Sequence, residues 1–275
     1  MKNPEKLHFD YDEIVSKYPV SSHFTGLLHG RTALISGGSR GIGLAIAREF
    51  LAASANVIVT GTSREHLEKA QQEAGSAHLK TMLWDVADMS VMEENFRKAQ
   101  TLFEDPISIL VNNAGIQTPK DYDRDFFAIR EEDYDRVQNI NLKGMFFMSQ
   151  MVARYMIENG IRGNILNTAS VWSYMPALCP YEVTKWGVKG FTQGLALKLA
   201  PYGIIVNGFA PGHTTTDMAR WSKENGIDDD VAPNRRFGVS EEMAAVALML
   251  VSDVGRNIVG DIVVTDSGTS LLGHF

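Results

Sequence analysis

Cysteine is almost absent from this sequence: Cys179 is the only one in 275 residues. A single cysteine can neither form an internal disulfide nor supply a thiolate metal site, and it is typical of a protein from a reducing compartment. The seven histidines show no H-x-x-x-H or H-E-x-x-H spacing. Since these are the spacings that hold zinc on a helix, the sequence predicts no metal site.

Long apolar runs and clusters of basic residues are also missing. No apolar stretch reaches the ~20 residues that a membrane-spanning helix needs. The first residues, MKNPEKLHFDYDEIV, are too acidic for a secretory or transit signal. A net charge of −7 and a pI near 5.5 argue against a nucleic-acid or anionic membrane surface. We expect a cytoplasmic protein that acts on a small molecule and binds neither nucleic acid nor membrane.

From Thr32 onward, short apolar runs alternate with segments of helical period. The predicted strands are TALISGG from 32, NVIVTG from 56, HLKTMLWDV from 78, ISILVNNAG from 107, GNILNTAS from 163, IIVNGFAPG from 204 and GDIVVTDSG from 260. Most are apolar throughout, as buried parallel strands are. The pattern predicts a single α/β domain over 29–275, a doubly wound Rossmann-type parallel sheet of about seven strands with helices on both faces. Residues 1–28 are predicted to form an arm that either wraps a subunit or frays.

A glycine-rich turn, SGGSRGIG at 36–43, joins the first strand to an amphipathic helix. Gly37, Gly41 and Gly43 would let the backbone bend tightly and approach a pyrophosphate, whose charge free N–H groups and the helix N-terminus stabilise. Glycines also serve in plain turns, but these stand where the first βα turn of a dinucleotide fold must be. The turn therefore predicts a dinucleotide cofactor.

Tyr181 and Lys185, in YEVTKWGV, lie four residues apart, so on a helix they share one face. An amphipathic helix with a half-buried tyrosine and a solvated lysine would show the same spacing. A proton-transfer pair would use the ammonium to lower the pKa of the tyrosine, which is near 10 when unperturbed. The spacing alone leaves both interpretations open.

Four sequence motifs follow one another along the chain. They are SGGSRGIG, NNAG at 112–115, Ser170 ahead of YEVTK, and NGFAPG at 207–212. In order and relative spacing they resemble the short-chain dehydrogenase/reductase family, over roughly residues 28–270. The resemblance implies an oxidoreductase that interconverts a secondary alcohol and a ketone with a nicotinamide cofactor.

The resemblance also assigns catalytic roles. It implies that Tyr181 is the general acid/base, that Lys185 lowers its pKa, that Ser170 holds the substrate oxygen and that Asn141 completes a proton relay. Ser170 lies eleven residues before Tyr181, somewhat fewer than is common in the family, so Ser173 is kept as the alternative.

Cofactor contacts follow from the same resemblance. They are Gly37, Ser39, Arg40, Gly41, Ile42 and Gly43 in the first turn, Thr62, Ser63 and Arg64 after the second strand, Asp85 and Val86 beside the adenine, Asn113, Ala114 and Gly115 after the fourth strand, Tyr181 and Lys185, and Pro211, Gly212, Thr214 and Thr216 near the nicotinamide. His213 is interpreted as a bystander.

The end of the second strand predicts NADP rather than NAD. An NAD enzyme usually has an Asp or Glu there, which accepts hydrogen bonds from the ribose hydroxyls. Here Gly61 takes that place, and Thr62, Ser63 and Arg64 follow without an acid. Arg40 would reach the same ribose and could hold a 2′-phosphate. The rival interpretation treats both arginines as solvated surface residues.

Substrate and assembly are less constrained. Apolar side chains suited to a bulky alicyclic substrate, such as a hydroxysteroid or bile acid, are Trp172, Tyr174, Met175, Leu178, Met218 and Trp221. They could equally pack a lid. Sugars, polyols and 3-oxoacyl groups are alternative substrates, and a non-catalytic dinucleotide sensor is an alternative function.

The family resemblance implies a homotetramer. Long helices are predicted over 131–159 and 181–200, with outer faces that pair with a symmetry mate. Phe146, Phe147, Met148 and Met151 offer more apolar surface than packing on one sheet requires.

Overall fold

A seven-stranded parallel sheet forms the centre of the computed structural model, which describes residues 11–12, 26–119, 125–219 and 221–274. The strands are β1 (Thr32–Ser36), β2 (Asn56–Gly61), β3 (Leu79–Leu83), β4 (Ile107–Asn112), β5 (Asn164–Thr168), β6 (Ile205–Pro211) and β7 (Ile262–Thr265). They lie in the order β3-β2-β1-β4-β5-β6-β7, and every neighbouring pair is parallel. The predicted Rossmann-type sheet is confirmed.

Helices cover the sheet on both sides. They are α1 (Gly41–Ala52), α2 (Arg64–Ala74), α3 (Met92–Ala99), α4 (Glu131–Gln138), α5 (Met145–Glu158), α6 (Pro180–Leu199) and α7 (Ser240–Val251). Neighbouring residues of one strand enter different cores: Ile35 packs with α1 and α7, whereas Leu34 packs with α3, α5 and α6. Because side chains alternate along a strand, this division shows that both faces are buried.

The strand order reverses direction between β1 and β4. From β1 the chain proceeds outward to β2 and β3, then returns past β1 to place β4 on its other side. In sheets of this kind a crevice opens beyond the carboxyl ends of the two strands at the reversal. The ends of β1, at Ser36, and of β4, at Asn112, therefore mark where a ligand is expected.

One predicted helix is interrupted. Residues 131–159 were expected as a single helix, but a π-helical turn, Asn139–Gly144, separates α4 from α5. Asn141 in this turn bonds to the backbone of Ile116, and a Cβ on Gly144 would lie 2.6 Å from Val86 O. The extra residue of the π turn thus accompanies a close packing contact, which helical periodicity does not reveal.

The second predicted helix is confirmed as α6, which begins at Pro180. Proline suits a first helical position because its missing N–H would have no helical partner there. The carboxylate of Glu182 accepts hydrogen bonds from the backbone N–H groups of Leu178 and Cys179. These contacts fix the start of α6, where Tyr181 lies.

The predicted N-terminal arm falls mostly on residues outside the described ranges. Two residues of the arm contact residues near the cleft. The ring centroids of Tyr11 and Trp221 lie 4.9 Å apart, and Asp12 Oδ1 accepts a hydrogen bond from Lys223 Nζ at 2.8 Å. Leu28 is fully buried and its N–H donates to Ala53 O. The boundary at residue 28 and the role of the arm stay predictions.

Buried amide side chains connect the sheet to α5 and α6. Asn112 Nδ2 donates to Ser149 Oγ and to Asn167 Oδ1, both at 2.8 Å. Asn167 Nδ2 in turn donates to Thr192 Oγ1 at 2.9 Å. Asn167 and Thr192 are fully buried. This chain of bonds links β4 and β5 to the two helices beside them.

We predict that Asn167→Ala lowers the free energy of unfolding by about 1–3 kcal/mol, because it leaves buried polar groups without a partner. Urea unfolding followed by circular dichroism measures the change. Asn159→Ala is the matched control, since Asn159 is exposed at the end of α5. An Asn167→Ala variant as stable as the control would show that the chain of amides does not hold the helices.

Candidate active site

A cleft of about 1000 Å³ opens at the carboxyl ends of the strands. Its walls come from the turn after β1, the ends of β2, β4, β5 and β6, and the start of α6. Of the predicted site residues, all but Gly43, Arg64 and Asn141 line this cleft. Motifs that are far apart in the sequence therefore meet in one cleft.

The glycine turn has the shape that a pyrophosphate requires. Gly37 and Gly41 adopt positive φ angles of 64° and 54°, and a Cβ on Gly37 would lie 2.8 Å from Ala114 Cα. A Cβ on Gly43 would overlap Gly37 O. Arg40 precedes α1, but its side chain makes no capping bond, so the N–H groups of the first turn remain available to an anion. The turn fits a dinucleotide.

Asn113 braces this turn from the neighbouring strand. Its Nδ2 donates to Gly37 O at 3.0 Å, and its backbone N–H donates to Ser36 Oγ at 3.1 Å. The NNAG segment was expected to contact the cofactor. In the structure the side chain of Asn113 is occupied in holding the turn, so it fixes the backbone that the sequence predicts for the cofactor.

The side of the cleft after β2, where the ribose is predicted to bind, is lined by Gly61, Thr62, Ser63 and His66. Ser63 Oγ caps α2 by accepting a hydrogen bond from the His66 N–H. Arg64 is exposed as the first residue of α2 and lies outside the lining, whereas His66 was not predicted. The helical period would have placed His66 on this side, because it follows Ser63 by three residues.

Arg40 forms an ion pair that the sequence did not indicate. Its Nη1 lies 2.9 Å from Asp217 Oδ2, and the two side chains are 60% and 74% exposed. Both residues line the cleft. The guanidinium predicted for a phosphate thus already has an acidic partner across the cleft mouth.

Tyr181 and Lys185 are both buried, with 6% and 7% of their surfaces exposed. Lys185 Nζ donates to Thr168 O at 2.8 Å and lies 5.4 Å from the centroid of the Tyr181 ring. The solvated lysine of the amphipathic-helix interpretation is therefore wrong. The two side chains face one wall of the cleft from the first turns of α6.

Burial controls the protonation of this pair. It raises the pKa of Tyr181 to about 12, although a hydrogen bond with Ser170 acts in the opposite direction. Burial also lowers the pKa of Lys185 to about 8. The lowering of the Tyr181 pKa that the resemblance attributes to Lys185 is therefore not found: burial is the largest cause of the shift, because removing the phenolate from water costs more than the hydrogen bond with Ser170 returns.

Ser170 and Ser173 have different surroundings. Ser170 lines the cleft at the end of β5, and its Oγ accepts a hydrogen bond from the Trp172 N–H at 3.3 Å. Ser173 is fully buried and donates to Lys185 O at 2.8 Å. Ser173 therefore supports the backbone of α6, while Ser170 presents its hydroxyl beside Tyr181.

Asn141 connects three elements around the cleft. Its Oδ1 accepts a hydrogen bond from the Ile116 N–H at 2.8 Å, and its Nδ2 donates to Ile116 O at 2.9 Å. Nδ2 also lies 3.3 Å from Thr184 Oγ1 on α6. The amide thereby joins the π turn, the segment after β4 and α6.

The apolar wall is smaller than the sequence suggested. Trp172 and Met218 line the cleft, together with Phe237, but Tyr174, Met175, Leu178 and Trp221 do not. Tyr174 Oη donates to Ile262 O, and Trp221 Nε1 donates to Gly226 O. Tyr174 and Trp221 are therefore engaged elsewhere, and Leu178 is exposed.

The described part of the chain contains neither a candidate metal site nor a candidate membrane span. No group of three or more His, Cys, Asp or Glu side chains in the described ranges could hold a metal ion. Among the same residues, no helix has the length and apolarity needed to cross a bilayer. The cytoplasmic location stays a prediction.

Comparison with known proteins supports a dehydrogenase. A family model described as short chain dehydrogenase matches residues 31–226. The gluconate 5-dehydrogenase of Gluconobacter oxydans is 34% identical over 89% of this chain and 96% of its own. The solved structure of a short chain dehydrogenase from Bacillus anthracis covers 87% of this chain and 96% of its own, with a TM-score of 0.75 and 30% identity.

Other relatives carry different substrate names. The L-rhamnose 1-dehydrogenase (NADP(+)) of Thermoplasma acidophilum is 34% identical over 87% of this chain and 96% of its own. The 3alpha-hydroxysteroid dehydrogenase of Mediterraneibacter gnavus is 32% identical over 87% and 97%. A 3-oxoacyl-[acyl-carrier-protein] reductase of Aquifex aeolicus is 35% identical over 88% and 98%. Similar identities to different activities leave the substrate of this chain open.

We predict that Lys185→Met makes the protein more stable at pH 7 by about 1–3 kcal/mol, because a buried ammonium is replaced by an apolar group of similar length. The pKa of Lys185 falls from 10.5 to about 8 on folding. Lys185 therefore binds its proton less tightly in the folded state than in the unfolded state. Below pH 8 the buried ammonium lowers the free energy of unfolding by the full amount. This effect disappears as the pH rises to about 10.5.

Urea unfolding of the parent and of Lys185→Met between pH 7 and pH 10.5 measures this difference. The gap in unfolding free energy should narrow over that range. Lys198→Met on the same helix, where Lys198 is exposed, is the control and should show no such trend. A gap that is absent at pH 7, or constant with pH, would contradict the buried charge.

Proposed function

This chain belongs to the short-chain dehydrogenase/reductase family, and we propose that it is an NADP-dependent oxidoreductase that interconverts a secondary alcohol and a ketone, with Tyr181 as the general acid/base. Members of this family are oxidoreductases that use a nicotinamide dinucleotide. One observation supports the assignment most: the buried Tyr181 lies beside Ser170 and Lys185 at the end of a cleft that begins with the glycine turn.

Tyr181 and Ser170 would handle the substrate oxygen. Ser170 donates a hydrogen bond to this oxygen and holds it beside the phenol. Tyr181 takes the hydroxyl proton during oxidation and returns it during reduction. The cofactor, when bound, would exchange the hydride, and its oxidised ring would add a positive charge that favours the phenolate. This charge acts against the burial that holds the pKa of Tyr181 near 12.

Lys185 and Asn141 would support the proton transfer. The bond to Thr168 O uses one of the three donors of the Lys185 ammonium, which leaves two for other partners. Asn141 has its side-chain oxygen and nitrogen engaged with Ile116 and Thr184. We therefore place Asn141 in the relay as a positioning residue, which holds the part of α6 that carries Lys185.

We predict that Tyr181→Phe lowers kcat by ~100-fold or more, since the ring is kept and only the proton donor is lost. The absorbance of the reduced cofactor reports turnover on a panel of secondary alcohols and ketones. Affinity for NADPH and the urea midpoint should stay close to those of the parent. Tyr202→Phe, at an exposed tyrosine, is the matched control. Turnover within a few-fold of the control would show that another group is the base.

The preference for NADP is supported by the residues after β2. Gly61 ends this strand, and the side chains that follow into the cleft, Thr62 and Ser63, carry hydroxyls and no acid. Arg40 lies across the same opening and can form paired, charge-assisted hydrogen bonds with a phosphate. Its exposed ion pair with Asp217 is worth only ~0–1 kcal/mol, so a phosphate can displace it. A relative whose name specifies NADP(+) is consistent with this preference.

We predict that Arg40→Ala weakens NADPH binding by roughly 1.5–3 kcal/mol and NADH binding much less, because a charged hydrogen bond to the 2′-phosphate is lost. Asp217→Asn should do the opposite and tighten NADPH binding by a few tenths of a kcal/mol up to about 1 kcal/mol, since it frees the guanidinium. Fluorescence titration gives the dissociation constants for both cofactors.

Arg48→Ala is the control for this pair, because Arg48 is an exposed arginine of α1 that pairs with Glu73. It should leave the NADPH to NADH ratio unchanged. A parent that binds NADH more tightly, or an Arg40→Ala variant with the parent's ratio, would reject the NADP assignment.

A homotetramer is the assembly that we propose. Phe146 and Phe147 on α5 are each about two-fifths exposed, and Phe146 lies 4.8 Å from Phe191 on α6. Met148, which was expected to add to this surface, is fully buried in the core. A groove of about 410 Å³ between the helices is lined by Phe146, Phe191 and Leu195.

Sedimentation velocity at micromolar concentration tests the proposed homotetramer, and a monomer would reject it.

Two substrate classes have support. A bulky alicyclic alcohol, such as a hydroxysteroid or bile acid, would pack on Trp172, Met218 and Phe237. A sugar or polyol is favoured by a different observation, the imidazole of His213 in the same wall. Relatives named for gluconate, L-rhamnose and a hydroxysteroid are consistent with one class or the other.

A further inference from the structure

His213 forms a polar pair inside the cleft wall. Its Nδ1 lies 2.7 Å from Asp229 Oδ2, and the ring stacks on Phe237 with the centroids 5.5 Å apart. The side chain of Asp229 is 6% exposed, whereas that of His213 is 49% exposed. A nearly buried carboxylate thus holds a half-exposed imidazole, and His213 lines the same cleft as Tyr181.

The backbone fixes this pair in place. His213 follows directly after β6 and Gly212, and its carbonyl accepts a hydrogen bond from the Gly238 N–H at 2.8 Å. The second carboxylate oxygen of Asp229 accepts one from the Val231 N–H at 2.9 Å. With both oxygens of Asp229 engaged, the imidazole cannot turn away without leaving a buried carboxylate partly unsatisfied.

The carboxylate also determines the tautomer. A carboxylate accepts hydrogen bonds, so Nδ1 of His213 must carry a proton. In the neutral ring Nε2 is then an acceptor, and no hydrogen bond to it is found within the described part of the chain. An acceptor beside a cleft matches a hydroxyl donor and has no partner on a hydrocarbon ring.

We infer that His213 Nε2 accepts a hydrogen bond from a substrate hydroxyl close to the reacting carbon, and that Asp229 is the positioning residue for this contact. The inference rests on the proposed dehydrogenase function and narrows its substrate to polyhydroxylated alcohols, such as sugars, sugar acids and polyols. His213, which the sequence classed as a bystander, becomes the residue that selects the substrate.

Pairs of alcohols that differ by one hydroxyl test the inference. Cyclohexane-1,2-diol with cyclohexanol, and gluconate with mono-deoxy gluconates, are assayed by NADP reduction. The parent should favour the more hydroxylated member by about tenfold or more in kcat/KM, the effect of one good hydrogen bond. Most of the difference should appear in KM.

Three variants identify the residue responsible. His213→Phe keeps the stacking on Phe237 and removes both nitrogens, so the tenfold ratio should fall to within about threefold of one. Asp229→Asn can hold either tautomer and should give an intermediate ratio. His78→Phe, at an exposed histidine on the opposite edge of the sheet, is the matched control and should keep the ratio of the parent. NADPH titration confirms that each variant is folded.

The possible failures are distinguishable. A parent that turns over the panel with a ratio near one, or that prefers hydroxysteroids over all polyols, overturns the inference and leaves the proposed function intact. An unchanged ratio in His213→Phe also overturns it, because a purely structural histidine would slow both members equally. A parent that binds NADPH but oxidises and reduces nothing overturns the proposed function, and the inference with it.

Discussion

The hydrogen bonds that run from Asn112 through Asn167 to Thr192 fix α6 on the sheet, and the candidate active site depends on that position. An unpaired buried polar atom is costly, so the bonds made by Asn112 Nδ2 and by both polar atoms of Asn167 penalise small displacements of strand and helix, although Asn112 Oδ1 has no partner within the described residues. Asn141 adds a second connection to α6 at Thr184, one residue before Lys185. Proton transfer needs atoms held to a fraction of an ångström, and these bonds supply that constraint without any group that reacts.

Burying the ionisable side chains of the site lowers the stability of the fold. Tyr181 and Lys185 are buried, and burial disfavours the charged form of each: it raises the pKa of the phenol and lowers that of the ammonium. The fold tolerates this cost because both faces of the sheet carry large apolar cores. A site that was better solvated would be more stable, but its tyrosine and lysine would lose the water-free surroundings in which charge interactions are strong.

The sequence predicted the features that depend on local chemistry. The apolar strands, the glycine turn and the helix expected over 181–200 all follow from rules that act within a few residues, and the structure contains each of them, with the helix at Pro180–Leu199. The π turn at Asn141 could not be predicted in this way, because it accompanies a contact between Gly144 and Val86, which are distant in sequence. The ion pair of Arg40 with Asp217 could not be predicted either, because these two residues are also distant in sequence.

Protonation was harder to predict than position. The spacing of Tyr181 and Lys185 suggested mutual charge stabilisation, whereas burial has the larger effect on both pKa values. Burial is a property of the whole fold, so no motif records it. His213 illustrates the same limit, since its partner Asp229 lies sixteen residues further along the chain.

Two positively charged features of the cleft, Arg40 and the N-terminus of α1, differ in how strongly salt screens them. With a net charge of −7, the protein does not attract a polyanionic cofactor by its overall field. Attraction must come from nearby groups, which are the N-terminus of α1 and Arg40. Because Arg40 is exposed and already pairs with Asp217, its contribution is screened by salt, whereas the contacts that we propose for the backbone at Gly37 and Gly41 would be local and screened less. Discrimination between the two nicotinamide cofactors should therefore depend on ionic strength more than the binding of the pyrophosphate does.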